Sequence, residues 1–484
     1  MSNVNSIAIV GSGSAGLITA LILKTKFSDC RIDIIHSKII PIVGVGEGST
    51  EHFKYFMDYV GIDQNDMISK TDSTLKLGIM FDGWTEKPYF HSVQIPFCTR
   101  YAQYFGVYGK LIGEGLSSND LSDKMFWDSM IHHQAGTNVA SQFHFNTVKL
   151  NSYLTNICKE RGINVIEDTL TDVIVNDSGI DSLVGELTNY KYDFYIDSTG
   201  FQKLLISKLG ANWTSHKEIL KMKSAVMFQL PHANENNFDN YTISKAMKYG
   251  WMFTIPVWER TGNGYIFDSD YISFEQAKQE VRELFNRDIM FGKEINFDPG
   301  FLKTPWVKNC LAVGLSANFI EPLEATSIGS SIQQAFLLIN RLPNYTEDVI
   351  DSYNKSVVSI MENIRDYVLM HYLTKKTDTQ FWIDAANVKL PDKLKNRLEL
   401  WKTRLPIQED FYGESNYILF NAVNYILVMH GLGLFHVDSI KNEFEMCSLS
   451  IKNHVSQIQN SIKENEMAPH ITHKHYISRI RYQK

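Results

Sequence analysis

Cysteine is scarce in this chain: five in 484 residues (Cys30, Cys98, Cys158, Cys310 and Cys447), scattered and without a Cys-x-x-Cys pair. That argues against a disulfide framework or a cysteine zinc site and suits a reducing cytoplasm. Basic charge is not in excess. The 47 Lys+Arg stand against 54 Asp+Glu, a formal charge of −7, which argues against a nucleic-acid surface. Proline numbers only 12, and no internal repeat or low-complexity run is found. With 44% hydrophobic and 21% charged residues, disordered and collagen-like chains are excluded. The opening MSNVNSIAIVGSG has no basic segment followed by a long apolar stretch, so no signal peptide is expected. Residues 417–435 (YILFNAVNYILVMHGLGLF) form a 19-residue run without Asp, Glu, Lys or Arg, long enough to cross a bilayer. Asn421, Asn424 and His430 inside it, and Gly431 and Gly433 near its end, instead predict a buried core helix stopping at the glycines.

The patterning opens with a dinucleotide-binding unit. Residues 6–10 (SIAIV) read as a strand, 11–16 (GSGSAG) as a glycine turn, 17–27 as a helix and 31–35 (RIDII) as a second strand. A helix at 150–162 leads into a strand at INVIED, and 169–196 reads as a β-meander of three runs ending in YDFYID. Alternation and aromatics over 222–273 predict an antiparallel sheet. From about residue 346 the pattern is mostly helical, and the tail carrying His470, His473 and His475 reads as a frayed terminus rather than a metal site.

Gly11-Ser-Gly13-Ser14-Ala15-Gly16 satisfies G-x-G-x-x-G between a strand and a helix. Glycines permit the tight turn and close backbone approach, and the helix N-terminus favours a pyrophosphate anion. His36, followed by Ser37, stands where an acid usually holds the ribose, so the loop alone leaves NAD and FAD open. Two later segments favour FAD: Ile196-Asp-Ser-Thr-Gly200-Phe, and Cys310-Leu-Ala-Val-Gly314-Leu315 leading through Glu321-Pro-Leu-Glu324-Ala-Thr326-Ser327 into a helix from Ile328. A second G-x-G-x-x-G for a nicotinamide cofactor is missing, so something else is expected to reduce the flavin.

Several segments, in order, resemble the flavin-dependent halogenases of the tryptophan-halogenase family. Gly44-Val-Gly-Glu47-Gly48-Ser resembles that family's G-V-G-E-A-T, and Lys76-Leu-Gly-Ile-Met-Phe-Asp-Gly-Trp84 its catalytic-lysine strand. Trp251-Met-Phe253-Thr-Ile-Pro256 resembles W-x-W-x-I-P, and Glu321-Pro-Leu-Glu324-Ala-Thr326-Ser327 resembles E-P-L-E-S-T. His371-Tyr372 with Asp378-Thr379 and Phe381-Trp382 resembles the helical H-Y…D-T-x-F-W run, so the likeness extends from residue 6 to about 435.

The resemblance implies an α/β, FAD-binding dinucleotide-binding fold of the flavin monooxygenase type, with an inserted substrate β-sheet and a helical C-terminal region. Residues 1–345 would form the FAD core with the interleaved sheet, and 346–484 the helices covering the substrate. It also implies that FADH2 and O2 give a flavin hydroperoxide, that a halide converts it to hypohalous acid, and that the acid passes to a separate pocket. There Lys76 and Glu324 would be catalytic, on a small electron-rich aromatic of indole or phenol type. Flavin contacts are expected from Gly11, Gly13, Ser14, Ala15, Gly16, Ser37, Gly48, Gly314, Leu315 and Ile328, and halide contacts from Thr326 and Ser327. Phe90, His91, Trp251, Phe253 and Tyr417 are expected on the substrate side. No metal, nucleic acid or membrane partner is expected, and a separate NAD(P)H-dependent flavin reductase is. Ala325 and Phe253 depart from the family pattern, as does His36, which leaves halide preference (chloride, bromide or iodide) and substrate open. Also open are free against carrier-bound substrate and assembly as a homo-oligomer. A flavin-dependent aromatic hydroxylase is the alternative enzyme, and a non-catalytic flavin-binding module the alternative outside catalysis.

Overall fold

The computed structural model describes residues 4–40, 47–92, 108–110, 112–115, 142–466 and 471–482. Gly44, Val45 and Gly46 of the Gly-Val-Gly-Glu stretch, Cys98 and His470 lie outside the described residues. The chain runs β1 (Ser6–Val10), α1 (Ser14–Lys26), β2 (Arg31–His36), α2 (His52–Val60), α3 (Gln64–Thr71), β3 (Thr74–Leu75), β4 (Gly78–Asp82) and β5 (Tyr89–Ser92). It resumes with β6 (Phe143–His144), α4 (Thr147–Glu160), β7 (Asn164–Glu167), β8 (Leu170–Asn176), β9 (Gly179–Gly185), β10 (Asn189–Tyr190), β11 (Phe194–Asp197) and β12 (Trp213–Ser215). Next come β13 (Ser224–Leu230), β14 (Thr242–Met247), β15 (Gly250–Pro256), β16 (Thr261–Phe267), α5 (Phe274–Phe285) and β17 (Phe291–Asn296). Short strands β18 (Gly300–Leu302), β19 (Trp306–Val307), β20 (Cys310–Ala312) and β21 (Asn318–Phe319) precede α6 (Thr326–Ile339). Helices follow: α7 (Glu347–His371), α8 (Gln380–Ala386), α9 (Asp392–Trp401), α10 (Ala422–Gly431), α11 (Val437–Glu445), α12 (Leu449–Glu466) and α13 (His473–Tyr482).

A six-stranded sheet of order β19-β20-β11-β1-β2-β7 carries the cofactor motif, parallel except at β19–β20. Strand order reverses at β1, so the crevice beyond its carboxyl end, where Gly11 begins the turn, is the place where such sheets take ligands. Helix α1 is buried without a break from Gly16 to Leu23, because it lies under α6 and α4 as well as on the sheet. The third run of the expected meander leaves it: β8, β9 and β10 form a separate antiparallel sheet, and β11 enters the parallel sheet beside β1. All four β11 residues are buried, as a strand covered on both faces requires.

The second layer is a seven-stranded sheet of order β17-β13-β16-β15-β14-β4-β5. The expected antiparallel run supplies β13 to β16, and β4 joins it parallel to β14, which brings the β4–β5 hairpin to its edge. One apolar core extends from Ile7 in β1 to Ile477 in α13.

The 417–435 run becomes a turn followed by α10, whose Tyr425 to Met429 are wholly buried; among the described residues no helix is long and apolar enough to cross a membrane. The two glycines there do different work. Gly433 takes a left-handed φ of +65° and ends the helix with hydrogen bonds back to it, whereas Gly431 is still helical and lets Tyr89 of β5 press against the backbone. The tail is not frayed either. His473 and Ile477 are buried where α13 packs on α3, and among the described residues no cluster of His, Cys, Asp and Glu suits a metal ion.

A Cβ at position 431 would come within 2.3 Å of the Tyr89 ring. Gly431→Ala is therefore expected to lower stability by about 1–3 kcal/mol through overpacking, read as the shift of the denaturant midpoint.

Candidate active site

Among the described residues two cavities share no lining residue. The larger, of about 330 Å³, lies at the β1 switch point, and Gly11, Gly13, Ser14, Ala15, Ser37, Gly314, Leu315, Ser327, Ile328 and Phe253 line it. Gly11 sits at φ +109°, where its own Cβ would strike Ser198 O at 2.4 Å. Gly13, which precedes the first turn of α1, has open space where a Cβ would stand. The N-termini of α1 and α6 both reach this cavity, so unsatisfied N–H groups converge on it, as a group bearing phosphates requires. Gly16 packs beneath the loop on Gly11 O and Ser198 instead of lining the cavity. The buried Asp197 carboxylate accepts from Thr199 N and Oγ1, Leu205 N, Ile206 N and Ser316 Oγ, which fixes two walls at once.

His36 lines the large cavity, and burial holds its imidazole below the ordinary range. An acid is nearby after all, one strand over. Asp168 follows β7, its N–H donates to His36 O at 3.0 Å, and it lines the same cavity. Burial opposes its ionisation, but the Tyr190 hydroxyl and Leu187 N–H hold its carboxyl below the usual range. Reading along β2 alone could not find it, because the neighbouring strand arrives 131 residues later in a parallel pairing.

The smaller cavity, of about 120 Å³, is lined by Lys76, Glu324 and His91 together with Thr50, Glu51, Ser92, Gln142 and residues of the 419–424 segment. Lys76 lies in the link between β3 and β4, not on a solvent-facing strand, and is only 1% exposed. Its Nζ donates to Ser49 O at 2.9 Å. Burial lowers the ammonium to about 8, against the opposing pull of Glu324 and Glu51.

Glu324, 3% exposed, receives His91 Nδ1 at 3.0 Å and His371 Nε2 at 2.9 Å. Burial works against its charge, yet the two imidazoles outweigh that and hold the carboxyl at about 2. His371 Nδ1 faces Tyr367 O at 2.8 Å, a carbonyl that can only accept, so Nδ1 carries a proton. Across the pair His371 Nε2 donates and the Glu324 carboxylate accepts. His91 Nδ1 faces the same carboxylate, and its Nε2 lies 3.2 Å from Asn424 Nδ2 and 3.3 Å from the Tyr367 hydroxyl.

The segment from Glu321 to Ser327 is the wall between the cavities: Pro322 and Ser327 face the larger one and Glu324 the smaller. Glu321 points into neither. Trp251 Nε1 and the Tyr372 hydroxyl donate to its Oε1 at 3.2 and 2.5 Å, and burial pushes its carboxyl up to about 8.

Other expected residues fall elsewhere. Thr326 starts α6 but lines neither cavity, and Gly48 bridges to His144 through its backbone. Trp251 is buried beside Glu321, 6.2 Å from the Phe253 ring, and only Phe253 reaches the larger cavity. Phe90 alternates away from His91 on β5 and packs edge-on to Tyr241. Tyr417 turns toward Asn340, its hydroxyl 3.5 Å from that amide, while Leu419, Phe420, Asn421, Val423 and Asn424 take the place at the smaller cavity. Asn363 fixes that turn by bonding both Phe420 N and Phe420 O.

The tryptophan halogenase family model matches residues 6–442. A 7-chloro-L-tryptophan 6-halogenase of Kutzneria sp. (strain 744) is 30% identical over 451 residues, covering 84% of this chain and 86% of that one. A tryptophan 7-halogenase of Lentzea aerocolonigenes is 26% identical over 480 residues, covering 89% and 90%. Among solved structures, a flavin-dependent halogenase from Xanthomonas campestris superposes with a TM-score of 0.85 at 25% identity, covering 99% of this chain and 98% of that one.

The buried lysine gives the site a pH signature. A folded-state value lowered from 10.5 to about 8 destabilises the fold wherever the unfolded chain binds the proton more tightly. The penalty is complete below pH 8, shrinks as pH rises, and is gone above about 10.5. Lys76→Met is thus expected to be more stable than the wild type at pH 7, by up to about 3 kcal/mol. That advantage should fade between pH 8 and 10.5 in parallel denaturation curves.

Proposed function

The chain belongs to the tryptophan halogenase family and is a flavin-dependent halogenase of aromatic substrates; we propose that Lys76 and Glu324 carry halogen transfer to a small electron-rich ring, of indole or phenol type, in the smaller cavity. The observation that carries this reading is the pairing of a buried lysine with a buried carboxylate in a cavity that, among the described residues, shares no lining residue with the glycine-loop cavity.

FAD suits the larger cavity, where the α1 N-terminus and the open space at Gly13 would hold its pyrophosphate. Bound there and reduced by a separate NAD(P)H-dependent reductase, it would supply hypohalous acid from O2 and a halide. Ser327, at the start of α6 and on the wall of that cavity, is the halide contact this geometry favours. In the smaller cavity Lys76 donates a hydrogen bond to the oxygen of the hypohalous acid and makes the halogen more electrophilic. With its ammonium lowered to about 8, a neutral amine that accepts the halogen is also accessible near neutral pH. The ring then exchanges a proton for the halogen, and water leaves. Glu324, kept ionised by His91 and His371, is the base placed to receive that proton. Glu51 and Gln142 offer hydrogen-bond acceptors to a ring N–H or hydroxyl. A hydroxylase would need its substrate in the flavin cavity, and neither Lys76 nor Glu324 lies there.

The test supplies FAD, a flavin reductase, NADH, a halide and a panel of indoles and phenols to wild type, Lys76→Ala and Glu324→Gln. Halogenated product from the wild type, reduced by about 100-fold or more in each variant while NADH oxidation continues, is the expected result. Hydroxylated product, or unimpaired halogenation by Lys76→Ala, would sink the reading.

A further inference from the structure

The histidine-bearing tail, unused by the mechanism above, is docked against the backbone that carries Lys76. Strand β3 pairs with β6 in the register Thr74↔His144 and Leu75↔Phe143, and Lys76 N–H donates to Gln142 O at 3.0 Å. In an antiparallel pair successive N–H groups turn to opposite sides, so that of Leu75 turns away from β6. Its acceptor is His473 Nε2, at 3.1 Å. The other ring nitrogen, Nδ1, faces Asp239 O at 3.2 Å and must donate to it. One neutral tautomer serves both contacts, and burial, which pushes this imidazole down to about 4, keeps it in that form. The ring is 5% exposed and packs edge-on to Phe238.

The far end of α13 is tied down as well. Arg481 donates to Ile68 O and Asp72 Oδ1, both at 3.2 Å, and lies over the Trp258 ring. The helix therefore spans the segment from the end of α3 to β3. On the other flank Leu77 N–H donates to Asn240 O, the residue after the one that takes the His473 proton. Three consecutive amides, of Leu75, Lys76 and Leu77, are thus held by three different parts of the chain.

We propose that His473 is a positioning residue for halogen transfer: by accepting the Leu75 N–H it fixes the backbone from which Lys76 enters the substrate cavity. The inference rests on the halogenation reading of that cavity. His473 touches no reacting atom, so its loss acts on where the lysine stands and not on flavin oxidation.

Two substitutions separate the hydrogen bond from the packing. His473→Gln keeps an acceptor for Leu75 and a donor for Asp239, whereas His473→Phe fills the same space with neither. Each is compared with the wild type for amide exchange at Leu75, for thermal stability, and for halogenated product per NADH oxidised. We expect His473→Gln to keep the Leu75 amide protected and its product yield within about twofold of the wild type. His473→Phe should expose that amide and lose about tenfold in yield at an undiminished NADH oxidation rate, as expected when a reacting group is misplaced by a fraction of an ångström. If both variants keep full yield, or both lose it in step with stability, His473 only packs and the proposal fails. If the wild type itself makes no halogenated product, the halogenase reading fails and takes this proposal with it, while the exchange data still report the Leu75 contact independently.

Discussion

Everything around the smaller cavity depends on keeping one carboxylate charged out of contact with water. Glu324 is almost wholly buried, and an uncompensated charge there would cost several kcal/mol. Compensation comes from His91 on β5 and His371 at the end of α7, 233 and 47 residues away in the chain. Those rings need anchors of their own: Tyr367 O for His371, and Asn424 of α10 for His91. A single buried carboxylate therefore fixes the mutual positions of the β4–β5 edge, the start of α6, and two of the covering helices. The Tyr89 contact with Gly431 brings α10 to that same edge by packing, so apolar and polar forces demand one arrangement.

The separation of the cavities follows from a single turn. Ala325 has a φ of +55°, a left-handed conformation that costs a residue with a Cβ about 1–2 kcal/mol. It reverses the chain between Glu324, which faces one cavity, and the first residues of α6, whose N–H groups approach the other. Read in sequence, Ala325 is a hydroxyl missing from a motif; in the fold its backbone conformation matters more. The two glutamates of the same motif show how the surroundings set charge. Among the described residues Glu321 meets the Trp251 and Tyr372 donors, and burial wins, raising it to about 8. Three residues on, two imidazoles reverse the balance for Glu324. The environments push the two carboxyls apart, leaving the first neutral inside the wall and the second ionised at the cavity.

The features legible in the sequence are those encoded within a few residues. The glycine turn between β1 and α1, the apolar helices and the alternating strands of the second sheet need only local periodicity, and the ordered motifs carried the family. The errors came where distant segments decide. YDFYID looks like a third meander strand because its alternation suits either sheet, and only burial on both faces beside β1 assigns it to the parallel one. Tyr417 misleads because Asn363, over 50 residues upstream, sets the turn that carries Phe420 and Asn424 inward instead. The tail histidines look idle because the N–H that His473 receives lies 398 positions earlier. Asp168 stayed hidden for the same reason, since its neighbour His36 is adjacent only across a parallel strand pair.

Lys76 shows why such remote constraints gather at one point. A lysine side chain has four rotatable bonds and about 2 kcal/mol of rotamer entropy, so a free one would sweep the whole cavity. Its hydrogen bond to Ser49 O restrains the tip but cannot set the base of the side chain. That falls to the backbone, and the surrounding amides bond to the residue before β6, to the loop before β14 and to α13. Lowering an ammonium by burial also requires that the walls not open, because admitted water would restore its ordinary value. Rigidity and dryness are thus the same requirement here: the contacts that hold the lysine in place also keep its ammonium lowered. That is why a residue with no chemistry of its own, such as His473, stands within one hydrogen bond of the segment that carries Lys76.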